Sequence, residues 1–157
     1  MGERKKRSKR HSTSNKKLLK GFTLYLCHCV DYDEVVEALE RAGIRYQRHR
    51  DHFKDYAPDT ELLRKVGQRR WILITADKRQ RIRPLERQLI VLFKVREFVF
   101  TSASVGNIGE LLVKVRRKMR NMCSRNEGPF VAAISQSGHI APRSLHGNDI
   151  VGNHGEE

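Results

Sequence analysis

Apolar and polar positions follow one another along the chain in blocks that predict alternating strands and helices. The run WILIT at 71–75 is apolar, β-branched and aromatic and stops at a polar turn, which is typical of a strand buried on both faces of a parallel sheet. Pro84 suits the first position of a helix, and Leu89 and Ile90 continue that helix at helical spacing. A further strand is predicted for 97–101.

The flanking segments repeat this alternation. A helix is predicted to begin at Asp31 or Asp33 and to stop at Gly43, and another to begin at Asp59 and end at Gly67. The remaining predicted elements are strands at 22–28, 44–50 and 129–135 and a helix at 106–122. Strands joined through helices are typical of a parallel sheet with helices on its faces, so the pattern predicts an α/β fold.

Charge divides the chain into a core and tails. The chain has 157 residues, which suits one domain, and a net charge of +14 with a pI near 10.2. Nine of the 32 Lys and Arg residues lie within residues 1–20, against a single acid there, Glu3. We therefore predict a disordered basic tail at 1–20, a folded domain at 21–141 and a second disordered tail at 142–157. The positive charge favours a polyanionic partner such as RNA, although a solvated basic surface without a dedicated partner is an alternative.

Cysteine usage and hydropathy indicate the compartment. Three cysteines are too few for a disulfide framework, which favours a reducing, cytoplasmic location. No apolar run reaches the roughly 18 residues that a membrane span needs, so no membrane partner is expected.

Three acidic residues, Asp59, Asp77 and Glu86, fall at helix starts or strand ends on one edge of the predicted sheet. Clustered carboxylates are hard oxygen ligands that suit Mg²⁺ or Mn²⁺, and such an ion can activate water for phosphodiester hydrolysis. Each acid also has a simpler interpretation: Asp77 as a turn residue, Glu86 as a carboxylate favoured by the helix dipole, and Asp59 as a helix cap.

A basic loop follows Asp77. Lys78, Arg79, Arg81 and Arg83 lie directly beside the predicted acidic edge. Cationic side chains in this place are suited to the phosphates of an RNA substrate, which they position without reading its bases.

The order of these motifs resembles the PIN-like domains of the VapC toxin type. The quoted order is HRDHF…APDTELLRKVGQRRWILITADKRQRIRPLERQLI…EFVF. It contains a D-x-E helix start, an apolar strand ending in T-x-D, and P-x-E. The similarity covers roughly 22–140 and includes PFVAAISQSGHI, which is similar to the closing segment of the family.

The resemblance implies a PIN-like three-layer sandwich with a central, mostly parallel sheet flanked by helices. It implies an acidic pocket that binds Mg²⁺ or Mn²⁺ and cleaves RNA, with Asp59, Asp77 and Glu86 as pocket acids. It also implies the toxin half of a toxin–antitoxin pair with a protein antitoxin as partner, and it leaves a homodimer open.

The chain departs from the family pattern at the end of its first strand. The family carries an aspartate there, and this chain has Cys27-His28-Cys29. A metal ligand is therefore missing there unless Asp31 or Asp33 supplies it from the following helix start. A second hypothesis is therefore a PIN-like module that binds RNA or a protein without cleaving it. A third is a structural zinc site in which His49 and His52 join the cysteines, although buried structural cysteines are the simpler interpretation.

Overall fold

The computed structural model describes residues 22–53, 57–77, 83–102 and 105–145. The tail predicted for 1–20 lies outside the described residues, as does most of the tail predicted for 142–157. No helix among the described residues is long and apolar enough to cross a membrane.

The described residues form six strands and five α-helices. The strands are β1 (Thr23–Leu26), β2 (Arg45–Arg48), β3 (Ile72–Thr75), β4 (Arg96–Phe100), β5 (Phe130–Ile134) and β6 (Ile140–Arg143). The helices are α1 (Asp33–Arg41), α2 (His49–His52), α3 (Asp59–Arg69), α4 (Pro84–Leu92) and α5 (Val105–Arg125), and a 3₁₀ turn spans His28–Val30.

The strands form one sheet in the order β2-β1-β3-β4-β5-β6. The five strands from β2 to β5 in that order pair in parallel, and β6 pairs antiparallel with β5. The chain leaves β1 for β2 on one side and reaches β3 on the other. The sheet order therefore reverses between β1 and β3, which is where ligands bind in open α/β sheets.

Each face of the sheet carries its own apolar core. On one face, strand residues such as Leu24 and Phe98 pack with Leu39 of α1 and Leu112 of α5. On the other face, strand residues such as Tyr25, Leu73 and Val99 pack with Leu63 and Val66 of α3 and Ile90 of α4. Because helices cover both faces, the strands are apolar throughout. The predicted α/β three-layer sandwich with a mostly parallel sheet is confirmed.

Two of the differences between the predicted and observed element boundaries have a clear structural cause. Helix α3 continues past Gly67 and ends where Arg70 adopts a left-handed conformation with φ of 55°. A Cβ atom on Gly67 would lie 2.4 Å from the carbonyl oxygen of Phe93, so this glycine permits close packing rather than ending a helix. Strand β2 stops at Arg48, because the chain turns there into α2 and the Arg50 amide donates to Asp31.

Strand β6 was not predicted from the sequence. This strand lies at the edge of the sheet, and its Pro142 pairs with Ala132 of β5. A proline is tolerated on an edge strand because its missing N–H costs no internal ladder bond. The segment IAPR is short and has no apolar periodicity, which is why the sequence pattern did not predict this strand.

Candidate active site

The candidate site lies at the carboxyl ends of β1 and β3, where the sheet order reverses. Leu26 of β1 pairs with Ile74 of β3, and the Cys27 amide extends this pairing by donating to the Ile74 carbonyl at 3.1 Å. Cys27 and Asp77 therefore leave the sheet at neighbouring positions. Ligands of parallel α/β sheets bind in the crevice outside these strand ends.

The three acids predicted from the sequence come together at this edge. The Arg83 Nη1 atom lies 3.4 Å from Oδ2 of Asp77 and 3.8 Å from Oε1 of Glu86. The Asp59 carboxyl is hydrogen-bonded to Glu86 and feels the charge of Asp77. One arginine thus joins an acid from the end of β3 to one from the start of α4, and Asp59 at the start of α3 lies against Glu86.

Local sequence explains why two of these acids point to the same place. Pro84 occupies the first turn of α4 and Glu86 follows it in the same turn. Asp59 is the first residue of α3, directly after Pro58. Both helix starts present partial positive charge, which favours carboxylates there. The interpretation of Asp59 as a helix cap is wrong, because Pro58 is the N-cap residue and Asp59 is the first residue of the helix. Its place in the first turn, like that of Glu86, is compatible with a shared site.

The shared site perturbs Asp59. Partial burial and then the hydrogen bond and negative charge of Glu86 raise the pKa of the Asp59 carboxyl above its usual range, against the opposing charge of Arg83. Two carboxyl groups at hydrogen-bonding distance are most stable when they share a proton. Asp59 therefore keeps its proton to a higher pH than an isolated aspartate does.

The donor atoms suit a hard divalent cation, but the observed arrangement is not a preformed metal site. Within the described ranges, no group of three or more His, Cys, Asp or Glu side chains is arranged so that it could hold a metal ion. Arg83 contacts two of the acids and balances their charge. A metal held by Asp59, Asp77 and Glu86 would have to take over that balancing role.

Asp31 is engaged elsewhere. Its carboxylate, buried at 8% exposure, accepts from Arg48 Nε at 2.7 Å and from Arg50 Nε at 3.3 Å. Burial opposes its ionisation, but the hydrogen bonds and charges of Arg48 and Arg50 outweigh burial and lower the pKa of Asp31. A metal-ligand role for Asp31 therefore stays a prediction, and it would require both ion pairs to open.

The cysteines at the end of β1 contact the strand that carries Asp77. The Cys29 Sγ atom lies 3.4 Å from Thr75 Oγ1 and accepts the Ala76 N–H at 3.3 Å. A hydrogen bond from Cys27, then those from Thr75 and Ala76, lower the pKa of the Cys29 thiol to about 5, despite its burial. The pKa of Cys27 is raised by the same pairing and by burial. Soft sulfur thus occupies the place where the resembled family has a hard carboxylate.

The remaining predicted residues divide into two groups. Arg83 lies in the site as described, whereas Lys78, Arg79 and Arg81 fall outside the described residues. The histidines of the zinc hypothesis have other partners, because His49 Nδ1 lies 2.7 Å from the Tyr25 hydroxyl and His52 Nε2 lies 2.8 Å from Gln47 Oε1.

Comparison with known proteins supports the nature of the domain. Residues 29–102 match the model of a family described as a PIN like domain. This match supports a PIN-like domain. It begins after Cys27 and His28 and spans Asp59, Asp77 and Glu86. A search of curated proteins and of solved structures gives no match.

Thr75 is the site residue whose role the sequence did not reveal. It is fully buried at the end of β3, and its hydroxyl oxygen accepts the Asp77 amide at 3.0 Å while it contacts Cys29. The sequence signal for this role is that Thr75 is the one polar residue at the end of an apolar strand. A buried hydroxyl needs hydrogen-bond partners, so such a residue indicates polar neighbours.

Proposed function

We propose that this PIN-like chain is a metal-dependent ribonuclease that hydrolyses phosphodiester bonds at the Asp59, Asp77 and Glu86 edge of its sheet. The observation that carries the proposal is the meeting of these acids around Arg83. The match of residues 29–102 to a PIN like domain adds support, as does the net charge of +14, which favours a polyanionic substrate.

Each described side chain has a role under this proposal. Asp59, Asp77 and Glu86 would hold Mg²⁺ or Mn²⁺, which when bound supplies water activation and stabilises developing phosphate charge. Asp59 is the acid best suited to exchange a proton, because its pKa is raised. Arg83 balances the acids before substrate binds and is placed to turn its guanidinium to a phosphate oxygen of the RNA, a geometry that guanidinium groups favour.

The test is cleavage of a mixed RNA pool by the full chain with Mg²⁺, with Mn²⁺ and with EDTA. Asp77→Asn and Asp59→Asn, purified identically, are expected to lose cleavage by about a hundredfold or more. The matched control is Glu37→Gln, which neutralises an exposed acid on α1 and should cleave like the parent chain. Equal cleavage by all four proteins would point to a contaminating nuclease and sink the proposal.

A second candidate is a module that binds RNA or a protein without cleaving it. Two observations favour it: Cys27 stands at the end of β1 where the resembled family has an acid, and Arg83 contacts two of the three acids. This candidate predicts RNA binding that survives in EDTA and no cleavage under any metal. The toxin role and an antitoxin partner stay predictions of the resemblance.

A further inference from the structure

A polar cavity lies at the amino ends of the strands, opposite the strand ends that carry the acids. It has a volume of about 130 Å³, and its lining includes Arg70, Trp71, Lys94, Arg96 and Glu127. These residues precede or begin β3, β4 and β5. The acids lie at the other ends of the strands, about 13 Å away for a five-residue strand such as β4, so the two places are separate.

Arg96 is the unusual member of this lining. It is 6% exposed, and its Nη2 atom donates to the Arg70 carbonyl at 2.7 Å. Among the ion pairs between described residues, none involves Arg96. Burial lowers the pKa of the Arg96 guanidinium, which means that its surroundings disfavour the charge. A buried cation normally has a paired anion, whereas the charge of Glu127 acts on Arg96 without a direct ion pair.

Two further basic residues line the same cavity. Arg70 and Lys94 both adopt left-handed backbone conformations, with φ of 55° and 52°, just after the ends of α3 and α4. The carboxyl end of a helix carries about half a negative charge and favours cations. Glu127 adds one full negative charge. These negative charges do not balance three full positive ones, so the cavity remains electropositive.

We propose that this cavity binds a single phosphate group, either free phosphate or the terminal monoester of a nucleotide, on Arg70, Lys94 and Arg96. A volume of about 130 Å³ has room for several water molecules, and so for one tetrahedral oxyanion but not for a whole nucleotide. Guanidinium groups suit such an oxyanion because they offer parallel N–H donors. This inference does not depend on the ribonuclease proposal, since Asp59, Asp77 and Glu86 do not line the cavity.

The chain carries a built-in reporter for this site. Trp71 lines the cavity, it is the single tryptophan of the chain, and its ring stacks on Tyr25 with centroids 5.7 Å apart. An anion beside the indole changes the local field around its ring. Phosphate binding is therefore expected to change the intrinsic tryptophan fluorescence in a saturable way.

The experiment is a fluorescence titration of the full chain with inorganic phosphate, at constant ionic strength maintained with chloride. We expect saturation in the millimolar range. The Arg70→Asn/Lys94→Asn double variant keeps residues that tolerate the left-handed conformation and should bind about tenfold more weakly. Glu127→Gln should bind about threefold more tightly, because it removes a like charge. Arg117→Gln, an exposed charge on α5, should bind like the parent chain.

Parallel titrations with adenosine monophosphate and adenosine distinguish the two sources of the phosphate group. Tighter binding of the monophosphate than of inorganic phosphate indicates a nucleotide terminus, and equal or weaker binding indicates the free anion. Absence of a saturable change in the parent chain, or an unchanged affinity in the double variant, overturns the proposal. So does binding that Glu127→Gln weakens. None of these outcomes bears on RNA cleavage, so the two proposals fail separately.

Discussion

The Arg83 guanidinium lies 3.4 Å from the Asp77 carboxylate at the carboxyl end of β3. The same nitrogen lies 3.8 Å from Glu86. A cation supplied by the chain itself therefore balances two acids that, under the proposed function, also bind a divalent metal. Under that proposal, Arg83 and the metal would compete for one set of oxygen atoms.

Removal of Arg83 is expected to strengthen metal binding while it weakens RNA binding. Arg83→Gln should bind Mn²⁺ about fivefold to tenfold more tightly, since a charge about 4 Å away contributes roughly 1 kcal/mol where water screens it. Isothermal titration with Mn²⁺ measures this change. Arg117→Gln removes the same charge from α5 and should leave the affinity unchanged. Weaker Mn²⁺ binding in Arg83→Gln would contradict the competition.

Asp59→Asn is expected to raise stability at pH 7 even as it abolishes cleavage. The folded-state pKa of Asp59 is raised, so folding favours its protonated form and a penalty appears as pH rises through that pKa. Asparagine removes the penalty. Urea unfolding at pH 7 gives the comparison, with Glu61→Gln as control in the same first turn of α3. The control should be slightly less stable, because a helix start favours acids.

Asp31→Asn should have the opposite effect. The folded-state pKa of Asp31 is lowered, so its contribution is present above the unfolded-state value of about 3.9 and is lost as pH falls through the lower folded value. The variant should lose about 2 kcal/mol at pH 7. Its stability should also depend less on pH than that of the parent chain between pH 5 and the acid limit. Urea unfolding across that range is the measurement, and parallel curves would refute the ion-pair assignment.

Cys29 should react with thiol reagents much faster than Cys123. Cys29 has a pKa of about 5, so it is a thiolate at neutral pH, whereas burial raises the pKa of Cys123 to about 11. Thiolates are the reactive form. Alkylation with iodoacetamide at pH 6.5, read by mass spectrometry of peptides, should label Cys29 at least about tenfold faster than Cys123. Equal labelling would show that Thr75 and Ala76 do not stabilise the thiolate.

Gly67→Ala should destabilise the packing of α3 against the end of α4. Its Cβ atom would meet the Phe93 carbonyl oxygen at 2.4 Å and the Phe93 Cβ atom at 2.7 Å, so backbone must move. We expect a loss of about 1–3 kcal/mol in the free energy of unfolding. Gly106→Ala is the matched control, since its Cβ atom has nothing within 4 Å and alanine favours helix. Urea denaturation should show a lower free energy of unfolding for Gly67→Ala and a higher one for Gly106→Ala than for the parent chain.

The sequence by itself determined the layered α/β architecture and the end of the sheet at which the three acids lie. Uninterrupted apolar runs such as 72–74 can be satisfied only by burial on both faces of a sheet, and helical periodicity with Pro84 at its start located α4. Asp59, Asp77 and Glu86 could be placed at one edge because parallel strands end together. These features follow from local patterns, which is why they were available before the fold.

Tertiary structure decided which charges meet. Asp31 and Asp77 occupy similar places in the sequence pattern, because both follow strand or turn segments. In the structure, Asp31 forms ion pairs with Arg48 and Arg50. Asp77 instead forms an ion pair with Arg83, which also contacts Glu86. Gly67 lies inside a helix because its partner is Phe93, 26 positions along the chain. Arg96 begins a buried strand, but only the packing of three strand starts encloses it with Arg70 and Lys94. Side chains distant in sequence become neighbours through burial, and sequence periodicity carries no record of those distances.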